Sequence, residues 1–159
     1  MEQMKNLSEK LSRAITEGVP QVVAETAAEY FRQSFTRKGF DGKPWKPWAN
    51  SYRHRTNGSL MIDTAALLNS IRPSLISPTK VVIQAGNSKV GYAKVHNEGF
   101  IGSVVVKSHT RRGRNGKPQS VRQHSRRMSI PQRQFMGNAK ELDRLLKQDV
   151  EEYMKSVVR

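Results

Sequence analysis

Apolar residues recur along this chain with two different periods, and the changes of period mark its elements. Leu7, Leu11 and Ile15 fall four apart, which predicts a helix over 5–17 with one narrow apolar stripe. Gly18 ends that helix in this reading, and Pro20 suits the first turn of a second one over 20–35. Val23, Ala27, Phe31 and Phe35 form its apolar face, with Glu25, Glu29 and Arg32 on the wet side. The segment 60–71, LMIDTAALLNSI, reads as a short helix with Asp63 or Thr64 as N-cap. RPSLIS (72–77) and KVVIQA (80–85) alternate or run apolar, as strands do, around a Pro78-Thr79 turn. YAKVHNEG (92–99) fits either a helix ended by a left-handed Gly99 or a short strand. Strands are expected over 102–110 and 119–130, and a long helix over 138–158 capped by Asn138. Its stripe is Leu142, Leu145, Leu146, Val150, Tyr153 and Val157. The expected fold class is α+β: N-terminal helices, a small antiparallel sheet with a long basic β-hairpin, and a C-terminal helix, in one domain over 1–159.

One interval has no period. Residues 35–59 hold three glycines and two prolines, which argues against regular structure there. Phe35, Phe40, Trp45 and Trp48 are costly to leave in water, since each ring buries roughly 150–250 Å². A loop pinned to the core by its aromatics is the main expectation. Stacking of the tryptophans on nucleic-acid bases beside Lys43 and Lys46 is the alternative.

A second irregularity is a repeat. VKSHTRR (106–112) returns as VRQHSRR (121–127). Pairing of the copies as hairpin arms over 102–130 explains why both carry the same residue types. Direct pairing puts His109 opposite His124. Use of Asn115-Gly116 as a two-residue type I′ turn puts His109 opposite Arg122 instead. Either register gives arms of nine to ten residues, about 30 Å long. So polar a ribbon buries little on itself, and is expected to be ordered by a partner. Two histidines supply only two ligands amid arginines, so a metal site is disfavoured and no cofactor is expected.

Charge sharpens this picture. The net charge is +15, and residues 99–140 carry ten basic side chains and no acid. Eight of them lie on the hairpin: Lys107, Arg111, Arg112, Arg114, Lys117, Arg122, Arg126 and Arg127. Such a stretch faces water or a polyanionic partner, DNA or an acidic protein. No helix-turn-helix, zinc-finger or RNA-binding signature accompanies it. Cysteine is absent, which removes disulfides and zinc thiolates. No apolar run approaches the roughly 20 residues of a membrane span, and the N-terminus lacks a signal-peptide core, so synthesis in the cytosol is expected. Catalysis finds little support. His96-Asn97-Glu98 supplies an H-x-E without the cysteines of a zinc deaminase, and no phosphate loop or serine elbow occurs. His96 reads better as a hydrogen-bonded structural residue near a turn.

Taken in order, F-x(9)-W-x-x-W (35–48), LMIDTAALLNSI, VVIQAGN, YAKVHNEG and IPQRQFMG (130–137) resemble the phage virion-morphogenesis family, over about residues 5–158. Trp45 and Trp48 match its aromatic loop. Tyr92, Ala93, His96 and Gly99 match its "YA-x-x-H-x-x-G" segment, and Pro131, Arg133, Phe135 and Gly137 its "[IV]-P-x-R-x-[FY]-x-G" segment. Ala65 departs from the pattern, which has glycine there. The resemblance implies a non-catalytic protein of tail completion or head–tail joining, working as a homo-oligomeric ring at the neck. Its implied partners are the head connector, the tail tube or the terminator, with possible DNA contact and no membrane. It implies residence in the host cytoplasm during assembly and then in the virion. Tyr92, Val95, Phe135 and the tryptophans are expected in the core. Arg133 is expected to pair with Glu98, with an acid of the last helix or with a neighbouring subunit.

Overall fold

The computed structural model describes residues 2–47 and 59–159. Its first feature is a single helical rod where two helices were expected. Helix α1 (Glu2–Arg13) runs through one π-helical turn (Ala14–Gly18) into α2 (Val19–Arg37). Gly18 does not stop the rod. A Cβ at that position would collide with the Tyr153 hydroxyl, so the glycine is there to let the last helix approach. The rod ends at Lys38, which is left-handed (φ 53°) and whose N–H bonds to the Ser34 carbonyl.

The aromatic interval then contains a minimal hairpin. Strands β1 (Gly39–Phe40) and β2 (Lys43–Pro44) pair across Asp41-Gly42, both at positive φ (47° and 75°). That is the conformation a two-residue Asp-Gly turn favours, and the expectation of no regular structure there is corrected. Helix α3 is only Ala66–Asn69, shorter than expected. Its N-cap position is neither Asp63 nor Thr64 but Ala65, in left-handed geometry (φ 57°). Strands β3 (Arg72–Ser77) and β4 (Lys80–Gln84) pair as expected around residues 78–79, with a bulge between Pro73 and Leu75. Helix α4 (Ala93–Glu98) settles the ambiguous segment as helical. Gly99 closes it at positive φ (79°) with ψ 170°, a conformation open to glycine but not the left-handed helical one expected.

The long hairpin follows. Strands β5 (Phe100–Val106) and β6 (His109–Arg112) run out, and β7 (Pro118–Val121) and β8 (His124–Ile130) run back. Finally α5 (Lys140–Val158) packs along α2 in the opposite direction. Gly18 meets Tyr153, the Thr26 hydroxyl donates to Asp149 Oδ2 (2.6 Å) and the Tyr30 hydroxyl to Glu141 Oε2 (3.3 Å). Asn138 does not cap α5. The helix begins after Ala139, and the Glu141 N–H donates to Asp41 Oδ1 (3.3 Å), an acceptor brought from the β1–β2 turn.

The core lies between α2, α5, α3 and the aromatic loop. Tyr30, Phe31, Phe35, Phe40, Trp45 and Phe135 are its buried aromatic members, joined by Ile71, Leu60, Leu67 and Leu142. Phe35 sits at the centre, 5.4 Å from the Trp45 ring and 5.2 Å from the Phe135 ring. The fold is α+β, though its strands form separate two-stranded ribbons in place of one sheet.

A basic arm and its anchor

The two ladders of the long hairpin share one register. Phe100 pairs with Ile130, Val106 with His124, His109 with Val121 and Arg112 with Pro118. Each strand therefore runs thirteen residues from Phe100 to Arg112, and the arm reaches roughly 40 Å at about 3.3 Å per residue. Both expected registers are off, by one residue or by three. The cause is the turn. The Gly116 N–H bonds to the Gly113 carbonyl (3.0 Å) and the Gly113 N–H to the Lys117 carbonyl (2.8 Å), which makes a three-residue loop with Gly116 at φ 76°. Asn115 turns its Oδ1 to the Lys117 N–H (3.2 Å) and keeps a negative φ, so the type I′ turn does not form.

This register explains the repeat. The valine of each copy lies opposite the histidine of the other. Exchanging the strands reproduces the pattern, so the ribbon carries an approximate twofold relation centred on the dipeptides 107–108 and 122–123, where the ladder is interrupted. Both histidines act alike at the interruption. The His109 Nδ1–H donates to the Lys107 carbonyl and the His124 Nδ1–H to the Arg122 carbonyl, each at 2.9 Å. Among the described residues no three His, Cys, Asp or Glu side chains cluster as metal ligands.

The arm differs along its length. Near the root, one face carries Phe100, Val104, Val106, Met128 and Ile130, half-buried and outside the core. The other face carries Ile101 and Val105, 76% and 63% exposed. Beyond Val106 the apolar residues give out. All eight hairpin cations are exposed, and among the described residues none is in an ion pair.

Several residues that match the family pattern, His96, Gly99, Arg133, Phe135 and Trp45, meet at the arm's root, where hydrogen bonds fasten it. The Arg133 N–H donates to the His96 carbonyl (2.8 Å), and Asn97 Oδ1 accepts from the N–H groups of both Phe135 (2.9 Å) and Met136 (3.0 Å). Gly99 lies so near Gln132 that a Cβ would stand 3.0 Å from its backbone nitrogen. The third strap is the aromatic loop. Trp45 Nε1–H donates to the Gln134 carbonyl (2.6 Å), and the buried Arg133 guanidinium donates to the carbonyls of Lys46 (3.0 Å) and Pro47 (3.3 Å). Three segments distant in sequence are thus tied where the arm leaves the body. Phe135 and Trp45 are buried as expected, and Trp45 is unavailable for stacking on bases. Trp48 lies outside the described residues.

Other expectations are corrected at the same site. Tyr92 is 43% exposed, not core, and sets its ring edge-on to His96. Val95 is half-buried. Glu98 turns to Lys94 (3.9 Å) and not to Arg133, whose guanidinium donates to the aromatic loop. The His96 ring is not hydrogen-bonded as expected at Nδ1, which is buried and has no hydrogen-bond partner among the described residues. Burial, and then the charge of Arg133, hold its pKa below the ordinary 6.5. Asn97 was not singled out from the sequence. Inside YAKVHNEG nothing local distinguishes it, because both its partners lie 38 and 39 positions away.

The structure thus combines an α+β body with a long polar hairpin tied to it at the root. Residues 1–155 match the profile of the phage virion morphogenesis family, and the chain belongs to that family. Among curated proteins and among solved structures there is no significant match. Membership makes this a protein of phage virion assembly, with other virion proteins as its partners. Among the described residues no helix is long and apolar enough to cross a membrane.

Proposed function

We propose that this protein is a non-catalytic structural component that completes the tail or joins heads to tails, as one copy of a homo-oligomeric ring at the neck. Its partners in this reading are the head connector and the tail tube or terminator. It acts in the host cytoplasm during assembly and stays in the virion. The observation that carries the reading, within the family's general role, is the root of the arm. Apolar side chains stand on both of its faces and none of them joins the core. A ribbon with two apolar faces gains by lying between other protein surfaces. A patch that meets a different patch on the next copy is the contact that closes rings. Electron microscopy of lysates from the parent phage or prophage with this gene deleted tests the proposal. DNA-filled heads beside separate, full-length tails are expected, and joined, normal particles would overturn it.

A further inference from the structure

We infer that the outer part of the arm is a grip for duplex DNA that holds the phosphate backbone without reading base sequence. The inference deepens the assembly reading by naming what the arm touches, but it stands on separate observations. The first is the chemistry of the surface. Beyond Val106 and its partner His124 the ribbon's apolar side chains are only Pro118 and Val121, among six cations and no acids, while Arg126 and Arg127 stand at the edge of the root, across from Val104 and Ser103. A protein partner is held by buried aromatic or aliphatic anchors at the centre of the contact, and this stretch offers none. A polyphosphate needs only cations and hydrogen-bond donors.

The second is where the cations point. Arg126 stands across from Val104 and Arg127 across from Ser103, so the two project from opposite faces of the ribbon. Arg111, across from Gln119, and Arg112, across from Pro118, do the same nearer the tip. A ribbon resting on a flat acidic surface uses one face. A ribbon lying in a groove meets a phosphate wall on either side, and cations on both faces serve both walls. The arginine pairs are separated along the ribbon by about eight residues, roughly 27 Å at about 3.4 Å per residue. They therefore fall within one turn of B-form duplex, about 34 Å.

The third is the kind of nucleic acid. No Phe, Trp or Tyr occurs between residues 101 and 134, so the arm lacks the stacking platform of a single-strand site. The B-form major groove admits a two-stranded ribbon, whereas the A-form groove of RNA is too narrow and deep. These arguments together select double-stranded DNA.

The test is fluorescence anisotropy of labelled duplexes of about 30 bp, in two unrelated sequences, titrated with the full chain across salt concentrations. Both sequences should bind within twofold of each other. Affinity should fall about 250-fold between about 50 and 200 mM salt, a logarithmic slope near −4 for four to five neutralised phosphates. The variant R111Q/R112Q/R126Q/R127Q should lose most of that slope while keeping the parent's circular dichroism and melting temperature. The inference is overturned by no binding at about 50 mM salt, by a slope shallower than about −2, or by a variant that binds like the parent. Equal or tighter binding of a single strand also overturns it. So does displacement of the duplex by poly-L-glutamate at equal charge, which would mark the arm as a dock for an acidic protein. Failure here leaves the joining phenotype of the deletion untouched. Normal particles from the deletion would leave DNA binding by the pure protein untouched.

Discussion

At the scale of single residues, the anchor rests on side chains that satisfy the backbone of a distant segment. Asn97 is the sharpest case, since one carboxamide oxygen accepts two N–H groups of the connector 131–139 between β8 and α5. Asn97→Ala leaves both donors without that acceptor and should destabilise the protein by about 2–4 kcal/mol, read from the urea midpoint. Asn97→Asp, which keeps the acceptor, should recover most of the loss. His96 makes the same site sensitive to acid. Its folded pKa lies below the unfolded value, so below pH 6.5 the unfolded chain binds the proton first. The stability contributed by neutral His96 is complete above that pH and is lost as the pH falls through the depressed value. Melting temperature should therefore drop on acidification from neutral pH, and His96→Gln should flatten that part of the profile. An unchanged profile in the variant would assign the acid sensitivity elsewhere.

At the scale of elements, two backbone positions separate local preference from tertiary demand. Alanine in place of a glycine inside a helix ordinarily stabilises it by about 1 kcal/mol. Gly18→Ala should instead destabilise by about 1–3 kcal/mol, because the new methyl meets Tyr153. The double variant with Tyr153→Ala should show a smaller loss than the two single changes added together, measured by denaturant melts. Ala65 presents the reverse situation. It holds a left-handed conformation that costs an L-residue about 1–2 kcal/mol, and the family pattern has glycine there. Ala65→Gly should raise stability by about 0.5–1 kcal/mol after glycine's own entropic cost. A neutral or lower urea midpoint would show that the strain is already relieved.

At the scale of the whole molecule, body and arm are held together by different means. The body is closed by α2 against α5, with Arg37 bonded to Glu141 (2.9 Å) and lying 4.7 Å from the centre of the Tyr30 ring. Both partners of that ion pair are more than a third exposed, so it contributes at most about 1 kcal/mol, and the aromatic core dominates stability. The arm gives the core nothing and takes from it only a fixed base. Ile101→Glu with Val105→Glu should therefore leave the melting temperature of the isolated protein nearly unchanged, both side chains being exposed. The same pair should abolish complementation of a deletion phage, counted as infectious particles, because the charges would be buried at the assembled contact. Full complementation would remove the arm's root from the assembly surface.

What the sequence determined by itself was local. Helical periods placed α2 and α5, the stretches 102–110 and 119–130 were legible as the two extended arms, and the acid-free run from 99 to 140 marked a strongly basic stretch. Those features are legible because periodicity and charge need only near neighbours. The short motifs did not show which contacts their residues make. Only the tertiary structure decided that Gly18 makes room for Tyr153 inside one continuous rod, that Asp41 from a turn caps α5, and that Asn97 holds the connector. It also fixed the arm's register, since a three-residue loop in place of two shifts the pairing by one and so reassigns which side chains share a face. Each of these depends on a partner far away in the chain, and hydrogen-bond geometry across such distances leaves no period or charge pattern in the sequence.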